Sequence, residues 1–362
     1  MSVISQLRIA LGQGYDIRTG SDLLYHADTI DYLQQLNRPL AVITDTYLAS
    51  WLTTPWVAYL QQQGLRVELL TVPRSEAAKT RAVKASIEDQ LFARGLGRDC
   101  ALCAVGGGAV TDLSGFIAAT FCRGVPVIYF PTTLLAMVDA SIGGKTAINV
   151  PAGKNLLGCF YQPHTVFCDI ACLSHLSAPA WRDGFAEMLK HGLLFDADYV
   201  ARLTAAPIAS QGDSLVELIS RSCELKRSVI ETDEREAGVR AVLNFGHTIG
   251  HAIEAASQFQ VSHGAAVALG MWLETCLAAS LGLADVALAQ QISQQLAAQD
   301  FVLQLPCSLT ALLPYLLADK KNREGLVHFV FIAAAGQVYR PSRGYTVGLP
   351  LDEIGARLAD FV

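Results

Sequence analysis

At 362 residues the chain is long enough for two domains of ordinary size around well-buried cores. Hydrophobic residues make up 52% and charged ones 17%, yet no apolar run reaches the ~18–20 residues that span a bilayer; "GVPVIYFPTTLLAMV" (124–138) is bounded by Arg123 and Asp139 and broken by Pro126 and Pro131. A formal charge of −6 argues against general nucleic-acid binding, which needs basic surface to displace counterions, but leaves room for a local basic pocket that receives an anionic substrate.

The opening "MSVISQLRIALGQG" lacks the charged start, apolar core and cleavage site of a secretory signal, so a cytoplasmic location is expected. From there strand and helix patterns alternate. "LAVITD" (40–45) reads as a buried strand, "WVAYLQQQG" (56–64) as a helix stopped by glycine, and "RVELLTV" (66–72) as the next strand. A helix over 79–95 leads to the strand "ALCAV" (101–105), and "VPVIYF" (125–130) is one more of the same kind. Such alternation implies a parallel sheet with helices on both faces. The nine cysteines show no framework spacing and are expected as reduced thiols. "CALC" (100–103) has CxxC spacing, but in a strand residues three apart point to opposite faces.

"AVGGGAVTDLSGF" (104–116) follows a strand and opens a helix, the context for holding a pyrophosphate on backbone N–H groups. Gly106 and Gly108 match the first two positions of G-x-G-x-x-G, and Thr111 fills the third, so the dinucleotide fingerprint is partial. "GGKT" (143–146) is no P-loop, because Asp139 stands where its first glycine is required. Lys145 and Lys154 remain as cationic contacts for a phosphate.

After residue 175 long helical patterns dominate: 178–194, 214–238, 264–282 and 286–299, with "LVHFVFIA" (326–333) as a strand. The expectation is an α/β domain over 1–175 and a mostly α-helical domain over 176–362. Within the second, "LNFGHTIGHAIEA" (243–255) is followed by "SHG" (262–264). His247 and His251, four apart, differ by ~40° on a helix and share one face, so spacing favours them as a chelating pair, with His263 beyond a helix break near "QFQVS". "AEMLKH" (186–191) adds Glu187, Lys190 and His191, and "DERE" (233–236) with Arg240 is a dense charge cluster.

The segments "GGGAVTDLSGFIAATFCRGV", "FPTTLLAMVDASIGGKTAINVPAGKNLLGCFYQP", "GFAEMLKHG", "DERE…R", "LNFGHTIGHAIEA" and "DKKN" resemble the 3-dehydroquinate synthases in kind and order, densely over about residues 100–263. The resemblance implies a Rossmann-like N-terminal domain, a helical C-terminal domain and an active site in the cleft between them. It implies bound NAD, one zinc or other divalent ion such as cobalt, and a homodimer. The metal ligands would be Glu187, His247 and His263, with His251, Glu236 and Lys190 handling protons and substrate. NAD would meet Asp45, Glu76, Lys79, Gly107, Gly108, Asp112, Thr132, Thr133 and Lys154. The substrate would meet Asp139, Lys145, Asn155, Lys226, Arg240, Asn244 and Lys320, with Arg123 reaching the partner subunit's site.

The implied reaction converts 3-deoxy-arabino-heptulosonate 7-phosphate to 3-dehydroquinate and phosphate by oxidation, elimination, re-reduction, ring opening and aldol closure. The sequence departs from the family pattern at Tyr47 (often asparagine), Ser75 and Thr111 (glycine), His191 (tyrosine) and Ala265 (glutamate). Three alternatives remain: another sugar phosphate cyclase, a metal-dependent polyol dehydrogenase using NAD, or a non-catalytic NAD-binding relative.

Overall fold

The computed structural model describes residues 5–212, 214–317 and 325–361 and divides into two compact units, Met1–Leu176 and Ser177–Val362. The first contains β1 (Ser5–Ile9), β2 (Tyr15–Gly20), α1 (Ala27–Gln35), β3 (Leu40–Asp45), the short α2 (Thr46–Leu48), α3 (Thr54–Gln62) and β4 (Val67–Val72). It continues with α4 (Arg81–Ala93), β5 (Ala101–Gly106), α5 (Gly108–Thr120), β6 (Val127–Pro131), β7 (Lys145–Val150), β8 (Gly153–Phe160) and β9 (Thr165–Asp169).

Among the described residues, seven strands form one sheet in the order β1-β2-β9-β6-β5-β3-β4. All neighbours are parallel except β1 and β2. Every residue of β3 and of β5 is buried, which is why these strands read as continuous apolar runs: a parallel sheet is covered on both faces. Trp56, Phe130 and Phe167 fill one covering layer, the two phenylalanine rings stacked at 5.0 Å.

The chain order matters for the site. From β3 the chain passes to β4 on one side, then returns through α4 to β5 on the other. The carboxyl ends of β3 and β5 therefore flank a topological switch point, where open α/β sheets bind ligands.

The second unit is mainly helical, with α6 (Ala178–Phe195), α7 (Ala197–Leu203), α8 (Ser214–Ile230), α9 (His247–Ala256), α10 (His263–Ser280), α11 (Val286–Ala297), α12 (Leu309–Leu317) and α13 (Leu351–Leu358). Four short strands, β10 (Val327–Phe329), β11 (Ile332–Ala334), β12 (Gln337–Val338) and β13 (Val347–Leu349), complete it. Ile249, Ile253, Leu269, Leu273, Phe329 and Phe331 belong to its core. Helix α10 crosses the start of α9 so closely that a Cβ on Gly270 would stand 2.0 Å from the Gly246 carbonyl oxygen, a contact only glycine permits.

Two expectations are refined. The run "LVHFVFIA" is two strands, because β10 pairs with β13 while β11 pairs with β12. Helix α8 stops at Ile230, short of 238. Just beyond it the Asp233 carboxylate accepts the N–H groups of Ala237, Gly238 and Arg240, folding the charged stretch into a turn. All nine cysteines are free. No helix among the described residues is long and apolar enough to cross a membrane.

Candidate active site

Helix α6 carries Glu187 and Lys190 one turn apart on one face. Glu187 is 0% exposed, and a buried carboxylate is costly unless paired. Lys190 ion-pairs with its Oε2. Its Oε1 faces two imidazoles, His247 Nε2 at 3.4 Å and His263 Nε2 at 3.3 Å.

Each histidine is delivered by a helix start. Gly246, at φ 77, turns the chain into α9. The fully buried Glu274 carboxylate accepts the N–H groups of Gly246 at 2.7 Å and Ile249 at 3.1 Å, an anion at the positive end of the helix. His263 opens α10, where Asp183 Oδ1 accepts the Ser262 hydroxyl at 2.6 Å and the Gly264 N–H at 2.9 Å. His247 Nδ1 lies 3.1 Å from the Phe245 carbonyl and His263 Nδ1 3.4 Å from Glu254 Oε2. These acceptors favour the proton on Nδ1 and a lone pair on Nε2, as metal-ligating histidines are usually held.

The electrostatics sort the three groups. Burial alone would raise the Glu187 carboxyl, but the Lys190 ammonium and His247 outweigh it and hold it well below the usual range. Burial, with the nearby Lys190 charge, lowers His247 to about 3. Burial also opposes charge on His263, yet Glu187 and Glu254 push it up to about 10. Without a metal, Lys190 and His263 are the cations beside the Glu187 carboxylate, and His247 stays neutral.

Ligand atoms of Glu187, His247 and His263 lie within 4.8 Å of one another, a set able to hold a metal ion. His251 shares the face of His247, ring centroids 5.4 Å apart, but lies 6.5 Å from His263 and belongs to no such group among the described residues. Helical spacing pairs His247 with His251, whereas the donor-atom distances group His247 with Glu187 and His263.

In the same unit Lys226 and Arg240 are buried, and the Arg240 guanidinium donates to the Glu234 carbonyl. Asn244 Nδ2 donates to Glu236 Oε1 at 2.7 Å, and Glu236 sits at φ 60. Lys320 and the "DKKN" segment lie outside the described residues.

In the first unit, Asp45 ends β3 and caps α2, its Oδ1 accepting from Tyr47 N at 2.8 Å and Leu48 N at 3.0 Å. Across the switch point, β5 turns into α5 through Gly106–Gly108. A Cβ on Gly106 would meet Val110 Cγ2 at 2.6 Å. Gly107 supplies no side-chain cap to α5, the kind of helix start that receives an anion. Thr132 N donates to the Gly106 carbonyl at 3.0 Å, and Thr133 Oγ1 accepts from Ala136 N at 3.2 Å.

Lys79 is buried, its Nζ 2.6 Å from Asp112 Oδ2 and 2.5 Å from Asn155 Oδ1. Burial pushes the Asp112 carboxyl up to about 6 against the pull of Lys79. Asn149 ties the group together: its Nδ2 donates to Glu76 at 2.7 Å and its Oδ1 accepts from Asn155 N at 2.9 Å. Lys145 and Lys154 are exposed on β7 and β8, and Asp139 lies in the helical turn Ala136–Ala140. Arg123 is exposed at φ 67, between Cys122 at φ 50 and Gly124 at φ 115.

Four supporting residues escape sequence reasoning. Glu254 and Asp183 carry a signal, since seven residues from His247 and four from Glu187 return to the same helix face. Glu274 and Asn149 carry none. Of the departures, Thr111 satisfies its hydroxyl on the Gly108 carbonyl at 3.0 Å, Ser75 adopts φ 62, and the Tyr47 ring lies 4.4 Å beneath the Arg74 guanidinium. His191 is buried against Ser222, and Ala265 lies in the first turn of α10.

Comparison with known proteins agrees with this architecture. Family models described as 3-dehydroquinate synthase N-terminal and C-terminal match residues 69–183 and 184–322. A 3-dehydroquinate synthase of Idiomarina loihiensis is 39% identical over 353 residues, covering 92% of this chain and 94% of that protein. Among solved structures, 2-epi-5-epi-valiolone synthase from Streptomyces hygroscopicus subsp. jinggangensis, with NAD+ and Zn2+ bound, is 26% identical with a TM-score of 0.83, covering 96% of each chain. A 2-deoxy-scyllo-inosose synthase complexed with carbaglucose-6-phosphate, NAD+ and Co2+ has a TM-score of 0.89 at 24% identity, covering 99% of this chain and 100% of that one; at that identity it speaks for the fold.

Proposed function

The chain belongs to the 3-dehydroquinate synthase family, and from that premise we propose that it converts 3-deoxy-arabino-heptulosonate 7-phosphate to 3-dehydroquinate and phosphate. The observation that carries the chemistry is the convergence of His247 Nε2 and His263 Nε2 on one oxygen of the buried Glu187.

Two groups are needed, and the residues fit both. Glu187, His247 and His263 offer two nitrogens and an oxygen, a donor set suited to zinc or cobalt with coordination positions left for substrate. The uncapped start of α5, beside Asp45 at the switch point, suits a dinucleotide. When bound, NAD supplies reversible hydride transfer and the divalent ion polarises the hydroxyl being oxidised.

The side chains have separate duties. Asp45 uses one oxygen to cap α2 and offers the other to a ribose hydroxyl. Gly107 and Gly108 receive the pyrophosphate, and Glu76, Lys79, Asp112, Thr132, Thr133 and Lys154 line the rest of the cofactor path. Lys145, Lys226, Arg240 and Lys320, with Arg123 from a second copy, bring five cations to a substrate carrying a phosphate and a carboxylate. Asp139, Asn155 and Asn244 hydrogen-bond its hydroxyls. His251, Glu236 and Lys190 move protons as the phosphate leaves and the ring closes. The reading requires both units to present these groups to one substrate, and it carries a cytoplasmic homodimer with it.

The test follows phosphate and organic product together from metal-loaded protein given NAD and the heptulosonate phosphate, with glucose 6-phosphate as a parallel substrate. Equal amounts of phosphate and dehydroquinate, and nothing from the hexose phosphate, are expected. Turnover of the hexose phosphate alone would reassign the chain to another cyclase activity.

A further inference from the structure

Asn149, near the end of β7, joins the turn Ser75–Ala78 to the β7–β8 hairpin. Its backbone N–H donates to the Lys79 carbonyl at 2.8 Å. Its Nδ2 donates to Glu76 Oε2 at 2.7 Å, and its Oδ1 accepts from Asn155 N at 2.9 Å. Lys79 closes the ring, its Nζ reaching Asn155 Oδ1 and Asp112 Oδ2. A carboxylate oxygen can only accept and a backbone N–H can only donate, so the side chain at 149 must donate at one end and accept at the other. Asparagine meets both demands in one amide orientation. Aspartate would set two carboxylates against each other, and alanine would hold neither partner. Glu76 and Asn155 are exposed, Ser75 sits at φ 62 and Asn155 at φ 54. Fixing exposed side chains costs rotamer entropy. That cost is returned as affinity when a ligand meets groups already in place.

We propose that Asn149 is a positioning residue for dinucleotide binding: it touches no ligand itself, but presets Glu76 for the cofactor and Asn155 beside Lys79. The proposal rests on the cofactor reading above. Asn149 occupies one oxygen of Glu76 and leaves the other to accept a ligand hydroxyl. Through Asn155 N it fixes the backbone from which the Asn155 side chain reaches Lys79. The charged groups around this amide are Glu76 and Lys79 in direct contact, Asp112 on α5 through Lys79, and Asp139, whose charge acts on Asp112. Lys154 precedes Asn155 on β8.

The experiment titrates NAD into the full chain by calorimetry, at about pH 5.5 and about pH 8 with Zn2+ saturating. It compares the unaltered chain with Asn149→Ala and Asn149→Asp, so that Asp112, which burial pushes up to about 6, titrates alike in all three. Asn149→Ala is expected to raise the NAD dissociation constant about three- to tenfold. Asn149→Asp is expected to raise it further at the higher pH, where two carboxylates meet. It should recover at the lower pH, where the pair shares one proton and the hydrogen bond returns. A residue that only braces the hairpin would give a shift from the unaltered chain that is the same at both pH values. That result, or Asn149→Ala binding NAD as tightly as the unaltered chain, would overturn the proposal and leave the cofactor reading standing. If the unaltered chain binds no NAD, the cofactor reading fails and the proposal with it. Circular dichroism checks folding; if the alanine variant is unfolded, Asn149→Asp at the two pH values decides alone.

Discussion

His263 carries a proton in the metal-free protein and must give it up to bind a metal. Glu187 and Glu254 push it to about 10 against burial, so near neutral pH metal and proton compete for the same nitrogen. Binding one divalent ion at about pH 7.5 should release close to one proton, and affinity should climb about tenfold per pH unit until His263 deprotonates unaided. Calorimetry in two buffers of different ionisation enthalpy counts that proton; a count near zero would contradict the charge assignment. For the metal-free fold the sign is that of a raised histidine. The stabilisation is fully present below the unfolded value, about 6.5, and is lost as pH rises through about 10. His247, lowered to about 3, is already neutral and contributes no such proton. Ser75 gives a second, unrelated prediction. Its φ of 62 lies in the left-handed region, which costs a non-glycine residue roughly 1 kcal/mol. Ser75→Gly should therefore raise stability by up to about 1 kcal/mol, offset by glycine's extra unfolded-state entropy. Thermal denaturation measures it, and a fall in midpoint would show that the serine makes a compensating contact.

The proposed metal set depends on where α9 and α10 begin. The buried Glu274 carboxylate receives two N–H groups at the start of α9, so Glu274→Ala removes both acceptors at once. Leaving buried donors unsatisfied costs about 1–3 kcal/mol each. The variant should lose about 2–6 kcal/mol of stability by denaturant titration and bind divalent ions more weakly, because His247 is the first residue of that helix. A change in stability with metal affinity intact would mean that His247 is held by other contacts.

This dependence also explains what the sequence made legible. Strands β3, β5 and β6 read clearly because a parallel sheet buries both faces of its inner strands, and α6, α10 and α11 because their apolar patterns run three turns or more. Strand β8 offered no such signal: its "GKNLLGCF" is mostly exposed and neither alternates nor forms an apolar block. The choice between His251 and His263 was beyond helical periodicity, since it turns on the helix break between Ala256 and His263 and on the Asp183 cap that anchors α10 against α6. The proposed metal set came from the family motifs, and the distances to Glu187 support it.

At the scale of the whole molecule, the fold allots different chemistry to its two units. The first has a switch point with an uncapped helix start and Asp45 beside it, the features of a dinucleotide site. The second has a buried carboxylate flanked by imidazoles, the features of a metal site. A simple dehydrogenase would need both, but would leave its nicotinamide reduced after each turnover. The proposed reaction returns the hydride to the same substrate, so NAD reduced in one step is regenerated in a later one and none is consumed overall. The direct measurement is therefore product formed per NAD supplied, with the protein metal-loaded, the heptulosonate phosphate in large excess and absorbance of reduced nicotinamide followed in parallel. Dehydroquinate exceeding NAD by about a hundredfold or more, without accumulation of reduced cofactor, is the predicted result. Product that stops at one equivalent of NAD, with reduced nicotinamide rising in step, would contradict the account.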